Sequence, residues 1–368
     1  MQLVPFKADY PNRALIASPE SFFRDVSKEY INFNRSGFFL KNDVPSIYIY
    51  EIQANNRSYT GVLTGNDVSD YEKGKIIGHE NTIAAKEQAM LQLTLLRRAM
   101  IKPVLLGYDQ HEEIDAFTAQ YKMRHPVFFE IHLPEAGEWH RYWQIYRNED
   151  ILQLRNLFEQ YVPEAYIADG HHRTSTAVRL LRDQYLSDSE DRISVLAAYF
   201  PFRDLQIFEF NRVVDVLSKI SAVGFIARLS AFLKIRPIKS AKKPIKKHCF
   251  TMYIGKEWFS LEWKKTILSK YNKEQDILDT ELFNTYVLGN VLKISDVRTT
   301  SDIIYLEGLS GTEGIQSIVN SNEHYAGFCL FPLTIEEMKT ASKTGKVLPP
   351  KSTWFEPRMK NGLLIKTF

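Results

Sequence analysis

Two periods of apolar residues alternate along this chain, the two-residue period of a strand and the three-to-four-residue period of a helix. Residues 46–52 (Ser-Ile-Tyr-Ile-Tyr-Glu-Ile) and 58–63 are β-branched and aromatic, with turn-forming Ala54-Asn55-Asn56-Arg57 between them, so the spacing predicts a hairpin. From 79 to 100 the pattern turns helical: Ile83, Met90, Leu93, Leu96 and Met100 share roughly one face, and Pro103 closes the element. Strand character returns at 127–133 and 141–146. A helix at 151–161, a short buried strand at 165–168, a helix at 174–184 and a strand at 193–200 follow. Further on, strands are expected near 250–253, 258–262, 302–306 and 326–330, and helices at 276–288 and 314–321. No repeat or low-complexity tract interrupts the series. The pattern predicts an α/β chain of the α+β kind with mixed sheets.

At 368 residues the chain exceeds one typical domain, and 44% hydrophobic residues suffice for sizeable cores. The sharpest compositional break is 234–247, which carries seven basic residues and no acidic one, with Pro237 and Pro244 breaking any helix. It reads as a solvated linker or loop rather than a nucleic-acid patch, because no aromatic residue is interleaved for base stacking. The expected organisation is therefore an α/β region at 1–233, a basic linker at 234–248 and a second α/β region at 249–368. Lys and Arg number 47 against 44 Asp and Glu, so a net charge of +3 gives no general affinity for polyanions, and nucleic acid is not expected as a partner.

Cys249 and Cys329 stand among apolar neighbours without a partner at metal-ligand spacing, and read as free thiols of a reducing compartment. The opening residues, Met-Gln-Leu-Val-Pro-Phe-Lys-Ala-Asp, place a proline and an acid where a signal peptide needs an apolar run. No stretch approaches the roughly 20 apolar residues that span a bilayer. A soluble, cytoplasmic protein is expected.

Three groups of residues are candidates for chemistry. In the first, 166–177, an apolar strand end runs into Asp169-Gly170-His171-His172-Arg173 and directly into a helix. Gly170 permits a backbone conformation closed to other residues, and a helix start offers free N–H groups and a partial positive charge, so the segment is built to meet an anion such as phosphate. Asp169 can hold Mg²⁺ or a proton, His171 and His172 can donate to phosphate, and Arg173 can clamp an oxyanion. Thr174 and Ser175 can cap the helix beside the same ligand. Because adjacent histidines point to different sides, one of them at most is expected to meet a given ligand. A capped helix with Asp169 paired to Arg173 fits the same residues.

The second group, Gly78-His79-Glu80-Asn81-Thr82, is expected at the start of the long helix, with Glu80 as general base for a hydroxyl and His79 as acid or phosphate contact; ordinary capping is the alternative. Ile83 stands where a His-Glu-x-x-His zinc motif needs its second histidine, which excludes that chemistry. The third group, His125, His132 and His140, has spacings of no standard metal site. Neither a Walker A lysine loop, nor a dinucleotide-binding Gly-x-Gly-x-x-Gly, nor a Gly-x-Ser-x-Gly elbow occurs. At 345–364 a proline-rich stretch holding Lys351, Ser352, Thr353 and Arg358 reads either as a strap over the core or as a structured loop that reaches an anion.

Four places resemble the bacterial and archaeal domain of unknown function 1015 family: Val4-Pro5-Phe6, Gly78-His79-Glu80-Asn81-Thr82, Ala168-Asp169-Gly170-His171-His172-Arg173 and Pro349-Pro350-Lys351-Ser352-Thr353-Trp354-Phe355-Glu356-Pro357. They follow the family's order across nearly the whole chain. The Asp-Gly-His-His-Arg segment also resembles the phosphate-binding signature of the ParB/sulfiredoxin superfamily, which includes free serine kinases. That likeness implies a ParB/sulfiredoxin-like core with additional N- and C-terminal elements. It implies a phosphate and Mg²⁺ site at Asp169, Gly170, His171, His172 and Arg173, with Thr174 alongside.

The sulfiredoxin cysteine is replaced by His171, so sulfinic acid repair cannot run here. Where ParB proteins continue into a helical DNA-binding region, a β-rich aromatic segment follows at 195–210. The activity implied is transfer of phosphate from ATP or ADP to L-serine or a related hydroxyl compound. Asp169 and His172 would be catalytic groups; Glu80 lies outside the matching segment and is read as the third from its own residue chemistry, with His79, Lys351 and Ser352 as substrate contacts. Hydrolysis of O-phosphoserine, or nucleotide-responsive regulation without turnover, are the alternatives.

Overall fold

The hairpin expected at 46–63 lies in the middle of a large sheet in the computed structural model, which describes residues 1–82, 84–182, 194–271, 277–297 and 300–368. Asn55 and Asn56 take left-handed φ angles of 51° and 59°, as a two-residue hairpin turn requires to match strand twist. The chain divides into two compact units, one of Met1–Gln206 with Pro357–Phe368 and one of Ile207–Glu356.

The strands of the first unit are β1 (Leu3–Val4), β2 (Phe6–Pro11), β3 (Phe39–Ala54), β4 (Arg57–Asp67), β5 (Ile76–Ile77), β6 (Ala99–Met100), β7 (Val104–Tyr108), β8 (Phe129–Leu133), β9 (Glu138–Ile145), β10 (Ala165–Asp169) and β11 (Ser194–Pro201), with a last strand at Ile365–Thr367. Its helices are α1 (Pro19–Arg35), α2 (Val68–Glu72), α3 (Ala84–Arg97), α4 (Glu112–Arg124), α5 (Asn148–Tyr161) and α6 (His171–Arg182). The sheet order is β5, β10, β7, β11, β4, β3, β2, Ile365–Thr367 and β6, with β9 and then β8 branching from β3. The pairs β5–β10 and β7–β11 are parallel, whereas β10–β7, β11–β4 and β3–β4 are antiparallel, so the sheet is mixed.

Burial explains the composition of the strands. All residues of β7 and β11 are buried, and both read as continuous apolar runs, the signature of strands covered on both faces. Sequence signals also place α1: the Ser18 side chain caps it, Pro19 opens it, and Phe22, Phe23, Val26 and Tyr30 bury one face. Leu106, Leu154, Phe158, Ile167, Leu180 and Ala197 belong to the core that joins helices α5 and α6 to the sheet.

The second unit carries a six-stranded antiparallel sheet, in the order Leu233–Ile238, Glu257–Trp263, Cys249–Ile254, Tyr325–Cys329, Phe210–Asp215 and Ile303–Glu307. The helical segments Asp279–Leu282 and Phe283–Val291 pack Leu282, Phe283 and Val287 against Phe225, Phe250 and Phe328 of this sheet and its neighbouring helix. Arg212, 1% exposed, is held by the Phe210 carbonyl at 2.7 Å and by the rings of Phe283 and Tyr305, each 5.6 Å away. Burial lowers its pKa to about 10. The overall class is α+β with a mixed sheet in one unit and an antiparallel sheet in the other.

The structure moves several elements from where periodicity placed them. The basic run at 234–247 lies within the second unit and begins as the strand Leu233–Ile238. Lys243, Lys246 and Lys247 meet Glu209, Glu262 and Glu337 of the same unit, so much of the run's charge is committed locally. The units divide at 206/207 and again at 356/357, whereas composition pointed to 234–248. The long helix begins at Ala84 rather than at His79, and ends before Ala99 and Met100, which form β6. Leu96 is 68% exposed, and the buried side chain of α3 is Leu91. Ile83, Gln184, Ile193 and Asp276, each part of an expected element, lie outside the described residues. Both cysteines are free, Cys329 buried and Cys249 half-buried. Among the described residues no helix is long and apolar enough to cross a membrane.

Gly61 in β4 has no room for a side chain. A Cβ there would stand 2.4 Å from the Tyr199 carbonyl oxygen of β11, a backbone atom that cannot turn aside. Gly61→Ala is expected to destabilise the protein by about 1–3 kcal/mol in denaturant unfolding, and unchanged stability would contradict the β4–β11 pairing.

Candidate functional site

The site is assembled by a two-residue strand. β5 pairs in parallel with β10, setting Ile76 opposite Ala165 and Ile77 opposite Tyr166, so the residues that follow each strand emerge side by side. Gly78-His79-Glu80 thereby meets Asp169-Gly170-His171, joining two groups that sequence reasoning kept apart. The His79 backbone N–H donates to His171 Nε2 at 3.2 Å, and the two imidazole rings meet edge to face with centroids 4.4 Å apart. Gly78 lies so near that a Cβ would be 3.2 Å from His171 Cδ2. Since residues 79–82 are not helical, His79 and Glu80 are not presented by a helix start, as the periodicity suggested.

That contact fixes the chemistry of His171. An Nε2 that accepts a hydrogen bond leaves the proton on Nδ1, and Nδ1 faces Glu80 Oε2 at 3.9 Å. Burial first, then the neighbouring His172 and Arg173, outweigh the pull of Asp169 and lower the His171 pKa to about 4. At neutral pH this histidine is uncharged, with its Nδ1 turned toward the Glu80 carboxylate.

Gly170 sits between strand and helix with φ of 112°, a conformation L side chains rarely adopt, and a Cβ would stand 2.7 Å from Arg173 Nη2. The chain turns there directly into α6, whose first turn has no acidic residue and leaves its N–H groups without intrahelical acceptors. One turn on, Arg173 Nη2 donates to Asp169 Oδ2 at 2.9 Å. The expected helix pair is thus present, and two further cations join it: Lys102 Nζ lies 3.4 Å from Oδ2, and Arg358 Nη1 lies 3.7 Å from Oδ1. Burial pushes the Asp169 carboxyl up, but the three cations together overcome it and hold it below the usual carboxylate range. Lys102 is lowered to about 8, by burial first and by repulsion from Arg173 second. Three cations thus converge on one carboxylate at the helix start. The arrangement can neutralise a phosphate or similar oxyanion.

Other expected residues point elsewhere. His172 lies toward α3, where Lys86 and Glu87 are its charged neighbours, so the two histidines do face different ways. The Ser175 hydroxyl donates to Glu87 of α3, which with Thr82 holds that carboxyl low. Thr174 is buried beside Tyr71 of α2. Lys351 and Ser352 belong to the second unit. The Lys351 ammonium lies over the Phe210 ring at 4.9 Å, and the buried Ser352 hydroxyl donates to the Pro349 carbonyl at 2.6 Å. His125 stacks on Tyr121 and His132 on Trp139, while the buried His140 bonds Tyr50 through Nδ1 at 2.7 Å and Glu138 through Nε2 at 3.2 Å. Glu138 also meets Lys360 at 2.7 Å, which ties the segment carrying Arg358 to the body of the first unit. Among the described residues, no group of three or more His, Cys, Asp or Glu could hold a metal ion.

Sequence reasoning did not find Lys102, which sits in the connection between β6 and β7 with no motif around it. Arg358 was visible only as one cation of the proline-rich terminal stretch.

A family model described as "Protein of unknown function (DUF1015)" matches residues 9–282, well over half of the chain. Among curated proteins none matches the sequence. Similar solved structures include a free serine kinase in complex with AMP, 16% identical over 80% of this chain and 86% of that one with a TM-score of 0.38. SbnI with a C-terminal truncation from Staphylococcus aureus is 11% identical over 81% and 85%, with a TM-score of 0.43. A conserved hypothetical protein from Pyrococcus furiosus is 15% identical over 81% and 94%, with a TM-score of 0.37. These likenesses are too distant to carry chemistry across.

Two measurements check the geometry. A buried base whose folded pKa lies below its unfolded value gives stability that is complete above the unfolded pKa and is lost as pH falls through the folded one. His171, taken from its usual 6.5 to about 4, is therefore expected to cost the fold up to about 3 kcal/mol as the pH drops across that window. His171→Gln should flatten this slope in denaturant unfolding, and an unaltered slope would contradict the neutral tautomer. Lys102 carries its charge against burial and repulsion, so Lys102→Met is expected to stabilise the ligand-free protein by roughly 1 kcal/mol. A lower thermal midpoint would show that Lys102 is structural.

Proposed function

The chain belongs to the DUF1015 family of proteins of unknown function, and we propose that it is a small-molecule phosphotransferase with its phosphate seat at the cations around Asp169. The observation that carries this reading is the convergence of Lys102, Arg173 and Arg358, between 2.9 and 3.7 Å from a single carboxylate, at the start of α6. Burial first and Arg173 second work against the charge on Lys102, and an incoming phosphate would offset both.

In the proposed reaction, ATP or ADP donates its terminal phosphoryl group to L-serine or a related hydroxy amino acid. The acceptor oxygen bonds to the terminal phosphorus as the bond to the leaving ADP or AMP breaks, and Glu80 takes the hydroxyl proton. His171, through its Nδ1–H, orients the Glu80 carboxylate, and Arg173, Arg358 and Lys102 neutralise charge on the transferred group. Asp169 keeps the three cations together. Both of its oxygens already face cations, so the residues present do not suit a protein-held metal, and we place Mg²⁺ on the nucleotide phosphates. The serine acceptor and a ParB/sulfiredoxin-like core in the first unit are part of this proposal, supported by the Asp-Gly-His-His-Arg segment, which ends β10 and opens α6.

Incubation with L-serine, Mg²⁺ and ATP or ADP is expected to yield O-phosphoserine. Glu80→Gln should slow turnover about 10²-fold or more with nucleotide affinity retained, and Arg173→Ala should abolish nucleotide binding. Affinity for phosphate ligands should fall as the pH rises past about 8, where the ligand-free protein releases the Lys102 proton that binding requires. Nucleotide binding without transfer from either donor would replace the kinase by a regulatory protein. Phosphate release from O-phosphoserine without nucleotide would replace it by a phosphatase, and undiminished binding by Arg173→Ala would refute the site itself.

A further inference from the structure

Behind the cations, the first unit holds a cavity of about 290 Å³ between α3, α6 and the sheet, at the small end of the range for organic ligands. Met90, Leu93, Met100, Leu180 and Val195 form its apolar wall. Its charged wall is one-sided, because Arg97, Lys102 and Arg173 line it and no carboxylate does. Lys102 and Arg173 are also the two cations nearest Asp169, so one ligand can place its anionic end on them and its body in the cavity.

A hydrophobic ion of simple shape would need no more than this, but the wall carries two further features. The thioethers of Met90 and Met100 are polarisable and pack well against an aromatic edge, and Met100 is held in place by the Leu196 backbone N–H, which donates to its sulfur at 3.3 Å. Asn361 brings an amide to the same wall, with a donor and an acceptor side by side as the edge of adenine requires. We propose that this cavity seats the purine base of the nucleotide, an adenine, while its phosphates lie on Lys102 and Arg173. The assignment rests on the phosphate seat proposed above and adds which part of the donor the protein recognises.

The test compares ADP with inorganic pyrophosphate by calorimetry, using the full-length protein. Wild type is expected to bind ADP at least about tenfold more tightly than pyrophosphate, the margin contributed by the base. Leu93 lies 39% exposed at the cavity wall, so Leu93→Trp can fill the space with little disturbance to the fold. It should remove that margin and leave pyrophosphate affinity unchanged. Asn361→Ala should reduce the preference for ADP over GDP. Equal affinities of wild type for ADP and pyrophosphate, or undiminished ADP binding by Leu93→Trp, would overturn the base pocket while leaving the phosphate seat intact. Displacement of ADP by octanoate would assign the cavity to an aliphatic chain instead. Failure of wild type to bind either pyrophosphate or ADP would refute the phosphate seat, a result distinct from the loss of base preference.

Discussion

Asp169 draws Arg173, Lys102 and Arg358 to within 3.7 Å of its two oxygens, and the three cations would repel one another without it. They come from distant parts of the first unit: α6, the connection after β6, and the terminal stretch beyond Pro357. The half-buried carboxylate thereby holds together segments that lie far apart in the sequence. Removing the carboxylate would leave three cations to repel one another, whereas removing Lys102 relieves that repulsion.

The second dependence is steric. Position 170 favours glycine, because its φ angle is positive and the Arg173 guanidinium occupies the space of a side chain, and β10 passes into α6 without an intervening loop. That abrupt junction lets Asp169, at the strand end, and Arg173, in the first helical turn, face each other. His171 lies between them in sequence, yet it points to the β5 side, where the His79 backbone N–H selects its tautomer. The cation cluster and the Glu80–His171 contact thus lie on two sides of the same helix start.

The elements legible in sequence were those whose pattern is local. The Asn55-Asn56 hairpin, the helix at 151–161 and the strand at 165–168 each carry their own turn or periodicity signals, and each is found within a few residues of its expected place. The helix expected from His79 failed because apolar spacing alone cannot distinguish a helix from an extended segment that leads into one. The short β5 strand extends the chain through Ile77 by pairing with a partner almost ninety residues later. The basic run at 234–247 misled for a related reason: its glutamate partners lie elsewhere in the second unit, so charge that looks unbalanced in sequence is paired in space.

By itself the sequence determined the chemistry at the centre of the site, since Asp169, Gly170, His171 and Arg173 are close neighbours and a strand followed by glycine and a helix forces them together. Tertiary structure alone decided which residues join them. Lys102 is an unremarkable lysine between two strands, and Arg358 is one charge in a proline-rich tail. Each joins the cluster through strand pairing, since β7, which follows Lys102, lies beside β10, and Ile365–Thr367, which follows Arg358, pairs with β6, which precedes Lys102. The pairing of Glu80 with His171 likewise follows from strand register, and so does the cavity behind the cations. Local backbone rules are written in adjacent residues, whereas electrostatic neighbourhoods are set by distances through space, which periodicity does not encode.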